Sequence, residues 1–198
     1  MENKDFFSFK SKLVLSNGQA VPINLKTNEK GVSDHSKLIK GQYDGIDFPV
    51  IFKQKGKIKL NDILDTGWVS LFLISDNLRM VLEENRLTGW QIFPIRLYDV
   101  RGKEINGYHG FSIIGHSGPT SYDKSSIIEN EAFYPYYKGV SVDKWDGSDF
   151  FTPDKTYQIF ITNRAAEILK KKKITNIQLE NLAEKETPIR HVRRENNA

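Results

Sequence analysis

The chain predicts a single α+β domain, in which a mixed and mostly antiparallel sheet carries two helices. Three observations lead there. Its apolar runs, such as Val69 to Ile74, are strand-length; a strand-helix-strand pattern is used twice; and 38% hydrophobic with 12% aromatic residues gives enough apolar surface to offset the entropy of ordering one core. A length of 198 residues is only slightly beyond the common size of one domain. The expected layout is a domain over 1–182, with a strand-and-loop part over 1–67 and a more regular part over 68–182, followed by a flexible charged tail over 183–198.

Along the first part, Leu13-Val14-Leu15 reads as a strand running into a turn at Ser16-Asn17-Gly18, followed by strands at Val21 to Leu25 and Phe48 to Phe52. The stretch from Lys26 to Tyr43 is rich in Lys, Asn, Gly and Ser and reads as a long surface loop without a helix.

From Trp68 the pattern sharpens. Phe72-Leu73-Ile74 is followed by Ser75, by Leu78, Val81 and Leu82 at helical spacing, and by Leu87-Thr88-Gly89-Trp90-Gln91-Ile92. Ile159-Phe160-Ile161 is followed, 87 positions later in each case, by Thr162, by Ala165, Ile168 and Leu169, and by Ile174-Thr175-Asn176-Ile177-Gln178-Leu179. Ser75 and Thr162 can cap the orphan N–H groups of the helix that each precedes. The i, i+3, i+4 residues give each helix one apolar stripe. Gly89 and Asn176 hold the same place in the following turn, and both residue types tolerate left-handed backbone. Both units are expected on one shared sheet. Between them, Ile92 to Tyr98 predicts a hairpin with Tyr108 to Ile114 across Asp99 to Gly102, with Pro94 forcing an edge or a bulge.

Function classes are narrowed mainly by what is missing. No apolar run approaches the ~20 residues of a membrane helix, the N-terminus lacks the apolar core of a secretory signal, and the absence of Cys rules out thiolate metal sites and disulfides. A cytoplasmic home is the expectation. The net charge of +4 equals the contribution of Lys170, Lys171, Lys172 and Lys173. These fall at a helix C-terminus, where the dipole favours cations, so a nucleic-acid partner is disfavoured. No phosphate loop, nucleophile elbow or zinc-helix motif occurs. His109 and His116 would face opposite sides of a regular strand unless a bulge near Gly115 intervened. Asp143, Asp146 and Asp149 recur every third residue, unlike a calcium loop, and read as a solvated acidic loop. No cofactor, metal or catalytic residue is expected. Trp145, Phe150 and Phe151 read first as packing and second as recognition, while Phe133-Tyr134-Pro135-Tyr136-Tyr137 reads as either.

The ordered series Ile74-Ser75-Asp76, Leu82, Leu87-Thr88-Gly89-Trp90, Tyr98-Asp99 to Gly102, Gly107-Tyr108-His109 and Gly115 to Pro119 resembles a family of bacterial immunity proteins. The series continues through Trp145, Gly147, Asp149-Phe150-Phe151, Ile159 to Thr162, Leu169 and Ile174-Thr175-Asn176. The family is immunity protein family eleven of polymorphic toxin systems, and the likeness spans roughly 68–182. One departure is Ser117, where the resemblance leads one to expect Cys before Gly118-Pro119. The resemblance implies a cytosolic, non-catalytic protein that binds and occludes a cognate toxin domain. The toxin-facing surface is expected within Phe133 to Phe151, with Tyr134, Tyr136, Tyr137 and Trp145 as anchors and Asp143, Asp146 and Asp149 as an acidic rim. Two alternatives compete with it: a small hydrolase using His109 or His116 with Asp149, and a carbohydrate- or nucleic-acid-binding module.

Overall fold

The computed structural model describes residues 6–12, 18–27, 33–57, 59–122, 127–128 and 135–188. The fold is α+β, with three helices among the described residues and mostly antiparallel sheets. The helices are α1 (Asp34–Ile39), α2 (Asp76–Glu84) and α3 (Asn163–Lys171).

Both strand-helix-strand units form, and they share a core but not a sheet. In the first, strands Phe72–Ser75 and Trp90–Phe93 flank the antiparallel strand Tyr108–Ile113, with Ile63–Asp65 outside. In the second, Ile159–Thr162 and Ile177–Asn181 flank the antiparallel strand Phe6–Ser11, with Phe150–Pro153 outside and Gly115–Ser117 beyond it. Within each unit the two strands are therefore parallel to one another, joined by a helical crossover, with a third strand inserted between them. The registers agree as well: Phe111 pairs with Phe72 and Ile92 in the first sheet, and Phe9 pairs with Ile159 and Leu179 in the second.

The helix ends repeat this agreement. The Ser75 hydroxyl accepts the Leu78 N–H and that of Thr162 accepts the Ala165 N–H, as the capping pattern predicts. After α2 the N–H of Leu87 reaches the Leu82 carbonyl at 3.0 Å, and after α3 that of Ile174 reaches Leu169 at 3.1 Å. Arg86 and Lys173 both adopt positive φ in those turns, at 51° and 55°. Leu78, Val81 and Leu82 are buried as expected. On α3 the stripe is rotated slightly, so that Ala165, Ala166 and Leu169 are buried while Ile168 stays half-buried. Both stripes enter one core, where Phe9, Phe72, Phe111 and Phe150 meet, Phe9 and Phe111 with centroids 6.3 Å apart.

The rest of the chain departs further from expectation. Lys26 to Tyr43 contains a helix after all: Ser33 caps α1, and Leu38 and Ile39 are buried. Two buried apolar residues in six, Leu38 and Ile39, were too few to show a period. The strands nearby are Gln19–Pro22 and Val50–Lys55, while 13–17 lie outside the described residues. The expected long hairpin is split. Trp90–Phe93 does pair with Tyr108–Ile113, but after Pro94 the chain changes sheets, and Ile95–Tyr98 pairs with Glu104–Ile105 and, in parallel, with Val50–Lys53. Proline has no N–H for the ladder, so the strand breaks there. This further sheet and α1 enclose their own core of Phe52, Phe93, Leu71, Leu97 and neighbours. The order also extends past 183, because Glu186–Pro188 pairs with Tyr136–Lys138. Lys185, only 9% exposed, bonds Gln158 and lies over Phe160. Ladder bonds need no apolar spacing, which is why composition assigned this stretch to the tail.

Candidate functional site

Three places bear on function, and the first is a pair of matched polar knots that bind the two units together. Asp62 precedes the first unit and Asp149 the second. Asp62 Oδ1 accepts the Ser75 hydroxyl at 2.7 Å, and Asp149 Oδ1 accepts the Thr162 hydroxyl at 2.9 Å. Their other oxygens reach across. Asp62 Oδ2 accepts the N–H and hydroxyl of Thr175, both at 2.8 Å, and Asp149 Oδ2 accepts those of Thr88 at 3.0 and 3.3 Å. Each unit thus caps its own helix and grips the turn of the other. The knots differ in one partner, since Asn77 donates to Asp62 at 2.9 Å where Arg164 pairs with Asp149 at 2.8 Å. Burial pushes the Asp62 carboxyl up, but the donors Asn77, Thr175 and Ser75 outweigh it and hold it below the ordinary carboxylate range.

Asp149 was expected on a solvated acidic rim, and that is corrected here: its side chain is 8% exposed and its oxygens are taken by Thr88, Thr162 and Arg164. The pattern of every third residue could not distinguish a loop carboxylate from a buried one.

The second place holds the other expected contact residues. Tyr136 and Tyr137 are half-buried on a small outlying sheet of Ile127–Ile128, Tyr136–Lys138 and Glu186–Pro188. Ile127 and Ile128 are each 37% exposed there, and Tyr137 rests on Tyr122 with centroids 5.4 Å apart. Tyr134 lies outside the described residues. Asp143 is exposed. Asp146 shapes the next turn: one oxygen accepts the His116 N–H at 2.8 Å and the other accepts the Ser148 N–H at 2.9 Å. Burial raises the Asp146 carboxyl, yet the donors from Ser148 and His116, with the His116 charge, bring it below the usual range. Trp145 stands half-buried, edge-on to Phe6 at 5.2 Å, with its indole N–H on the Ser148 carbonyl. Packing, the first of its two sequence readings, is therefore what its contacts show.

The histidines do not gather into one centre. His109 pairs with Asp76 at 2.7 Å and His116 with Asp146 at 3.1 Å, while Asp149 is engaged elsewhere. The chain leaves one sheet at Ile114 and joins the other at Gly115, which separates the two histidines by sheet. No group of three or more His, Asp or Glu suited to a metal occurs among the described residues, and no described helix is long and apolar enough to cross a membrane.

The third place was not legible in the sequence. The apolar run from Val69 does not begin as a strand, because Ser70 adopts φ 58° and turns Trp68 and Val69 outward, 46% and 70% exposed. A non-glycine residue held at positive φ is a strained one. The turn is fixed on every side. Gly67 N–H donates to Asp65 at 2.6 Å, Thr66 to the Leu71 carbonyl at 2.8 Å, His35 Nε2 to the Val69 carbonyl at 3.2 Å, and Ser70 to the Tyr157 carbonyl. His35 also lies against Trp68, with ring centroids 4.6 Å apart, and its burial pushes the imidazole below its ordinary value. Below this turn runs a groove of about 550 Å³ between the two units, walled by Trp68, Val69 and Tyr157 and floored by Asp65, Gln19 and Gln178. The one sequence signal was Thr66-Gly67-Trp68, a turn residue before an aromatic, too common to single out.

No model of a known family matches the chain, and no characterised protein matches it.

Proposed function

We propose that this chain is an immunity-type protein, which binds a cognate bacterial toxin domain and blocks it by occlusion with no chemistry of its own. The observation that carries the reading is the outlying sheet. It presents Ile127 and Ile128 at 37% exposure beside half-buried Tyr136 and Tyr137, next along the chain to the exposed Asp143 and the Asp146 turn. Exposed aliphatic and tyrosine side chains supply contact area at low entropy cost, and carboxylates at the edge speed encounter with a basic partner. The resemblance supports the same reading in a particular way. Thr88, Asp149, Thr162 and Thr175, which help to carry it, are skeleton residues of the two knots. A family likeness resting on such residues describes a scaffold, and leaves its contact surface to the residues outside it.

The test is to sequence the genes beside this one and to co-express the chain with the toxin domain that the proposal expects there. Tyr136→Ala, Tyr137→Ala and Ile127→Asp, each checked for folding by circular dichroism, should weaken toxin capture and cell survival. If all of the folded variants protect like the parent, the outlying sheet is not the contact surface.

A further inference from the structure

The groove between the two units has a composition that sorts possible ligands by class. Its lining holds two ionic groups of opposite sign, Asp65 and Lys10, whose charges cancel; outside the lining, Lys40 Nζ stands over the Tyr157 ring, 5.7 Å from its centroid. Its remaining polar groups are hydroxyls and carboxamides. Asp65 is oriented by Ser11, Gln19 and Gly67, none of them charged. The Gln178 amide carries no hydrogen bond among the described residues and is exposed on its strand, and Gln158 uses its oxygen on Lys185 while its NH₂ stays available. A purely apolar ligand would leave these groups without partners. A ligand rich in hydroxyls would not, because each hydroxyl both donates and accepts, as each carboxamide does.

The walls complete the match. Trp68 and Tyr157 remain 46% and 40% exposed, and flat aromatic faces attract the C–H-rich face of a pyranose ring by dispersion and weak C–H contacts. The Trp68 turn is held rigid by four hydrogen bonds from Gly67, Thr66, His35 and Ser70, so little ordering is left for a ligand to impose. The volume, about 550 Å³, lies in the range of small-molecule sites. From these observations we infer that the groove is a binding site for a neutral saccharide, stacked on Trp68 and Tyr157 and hydrogen-bonded through Gln178, Gln19 and Asp65.

The site is separate from the outlying sheet, so its test does not involve a toxin. In the ¹⁵N-labelled protein the Trp68 indole N–H gives a resonance that Trp68→Phe identifies, and Trp90 and Trp145, whose indoles bond Leu87 and Ser148, serve as internal controls. Maltotriose, cellotriose and triacetylchitotriose are titrated to about 10 mM, with acetyl-arginine amide and succinate as charged controls. At least one trisaccharide should shift the Trp68 signal saturably and leave the other two indoles in place. Gln178→Ala and Tyr157→Ala should each weaken that response about tenfold or more. Neither side chain donates or accepts a hydrogen bond that holds the fold among the described residues, so both variants should remain folded. The inference is overturned if no trisaccharide moves Trp68, if a charged probe moves it as strongly, or if both variants respond like the parent.

Discussion

The two strand-helix-strand units share a skeleton of caps, turns and cross-gripping carboxylates, yet they are not equally buried or equally assembled. Asp62 is half-exposed and faces the neutral Asn77, while Asp149 is 8% exposed and faces Arg164. Gly89 meets the Phe150 carbonyl so closely that a Cβ would overlap it, whereas Asn176, at the same turn position, uses its side chain to donate to the Ile63 carbonyl at 2.8 Å. One architecture therefore tolerates two solutions at each key position. At Gly89 the choice is set by how closely the opposite strand approaches.

The strongest test of equivalence is in the helices. Leu82→Ala and Leu169→Ala remove side chains that are both 0% exposed, and each should lower the unfolding free energy by about 2–5 kcal/mol in urea titrations. Similar losses would mark the units as one cooperative structure. A loss confined to one of the two would separate them.

Next in size is the burial difference between the knots. Asp149→Ala leaves the Thr88 and Thr162 donors and the Arg164 guanidinium without their acceptor, and should cost about 2–4 kcal/mol. Asp62→Ala should cost less, because water can reach its donors. If Asp62→Ala proves the more damaging, the ranking by burial is wrong.

Exchanging the turn residues should have opposite consequences. Gly89→Asn forces a side chain against the Phe150 carbonyl at φ 83° and should destabilise by about 2 kcal/mol or more. Asn176→Gly loses one hydrogen bond but keeps a residue suited to positive φ, and should cost about 1 kcal/mol. Thermal midpoints would read both.

The smallest effect is one of pH. The Asp62 carboxyl sits below its ordinary value of 3.8 in the folded chain, so the unfolded chain binds the proton first as pH falls. Its contribution is complete above pH 3.8 and is lost as pH drops through the folded value. Asp62→Asn should flatten the acid limb of the stability curve in that window. A limb of unchanged slope would mean that the acid sensitivity lies elsewhere, with Asp146, held low in the same way, as the next group to replace.

Much of this was legible in the residues. The hydroxyl caps, the stripe of Leu78, Val81 and Leu82, and the left-handed turns at Gly89 and Asn176 follow from local rules, and all are found. The missed features depend on distant partners. That Phe6–Ser11 inserts into the second unit, that Asp62 reaches Thr175 across 113 positions, and that Pro94 sends a strand to another sheet are tertiary facts without a local period. Of the proposed contact residues, Tyr136 and Tyr137 lie half-buried on a small sheet, while the acidic triplet concealed a buried carboxylate in Asp149. The groove was hidden because Val69 belongs by hydropathy to the strand that follows it, and only the backbone at Ser70 turns it outward.

The origin of the two central strands bears on how the molecule is made. The first unit completes itself within Ile63 to Ile113, so its sheet can close soon after that stretch leaves the ribosome. The second waits on its ends: Phe6–Ser11 is among the first described segments synthesised, yet its partners are Ile159–Thr162 and Ile177–Asn181. At about 5–20 residues per second, an apolar strand with Phe6, Phe7 and Phe9 would wait roughly 10–35 s for its neighbours. Throughout that interval it is an unpaired edge open to wrong partners. Pairs so distant in sequence raise the contact order of the second unit above that of the first, and contact order lengthens folding time.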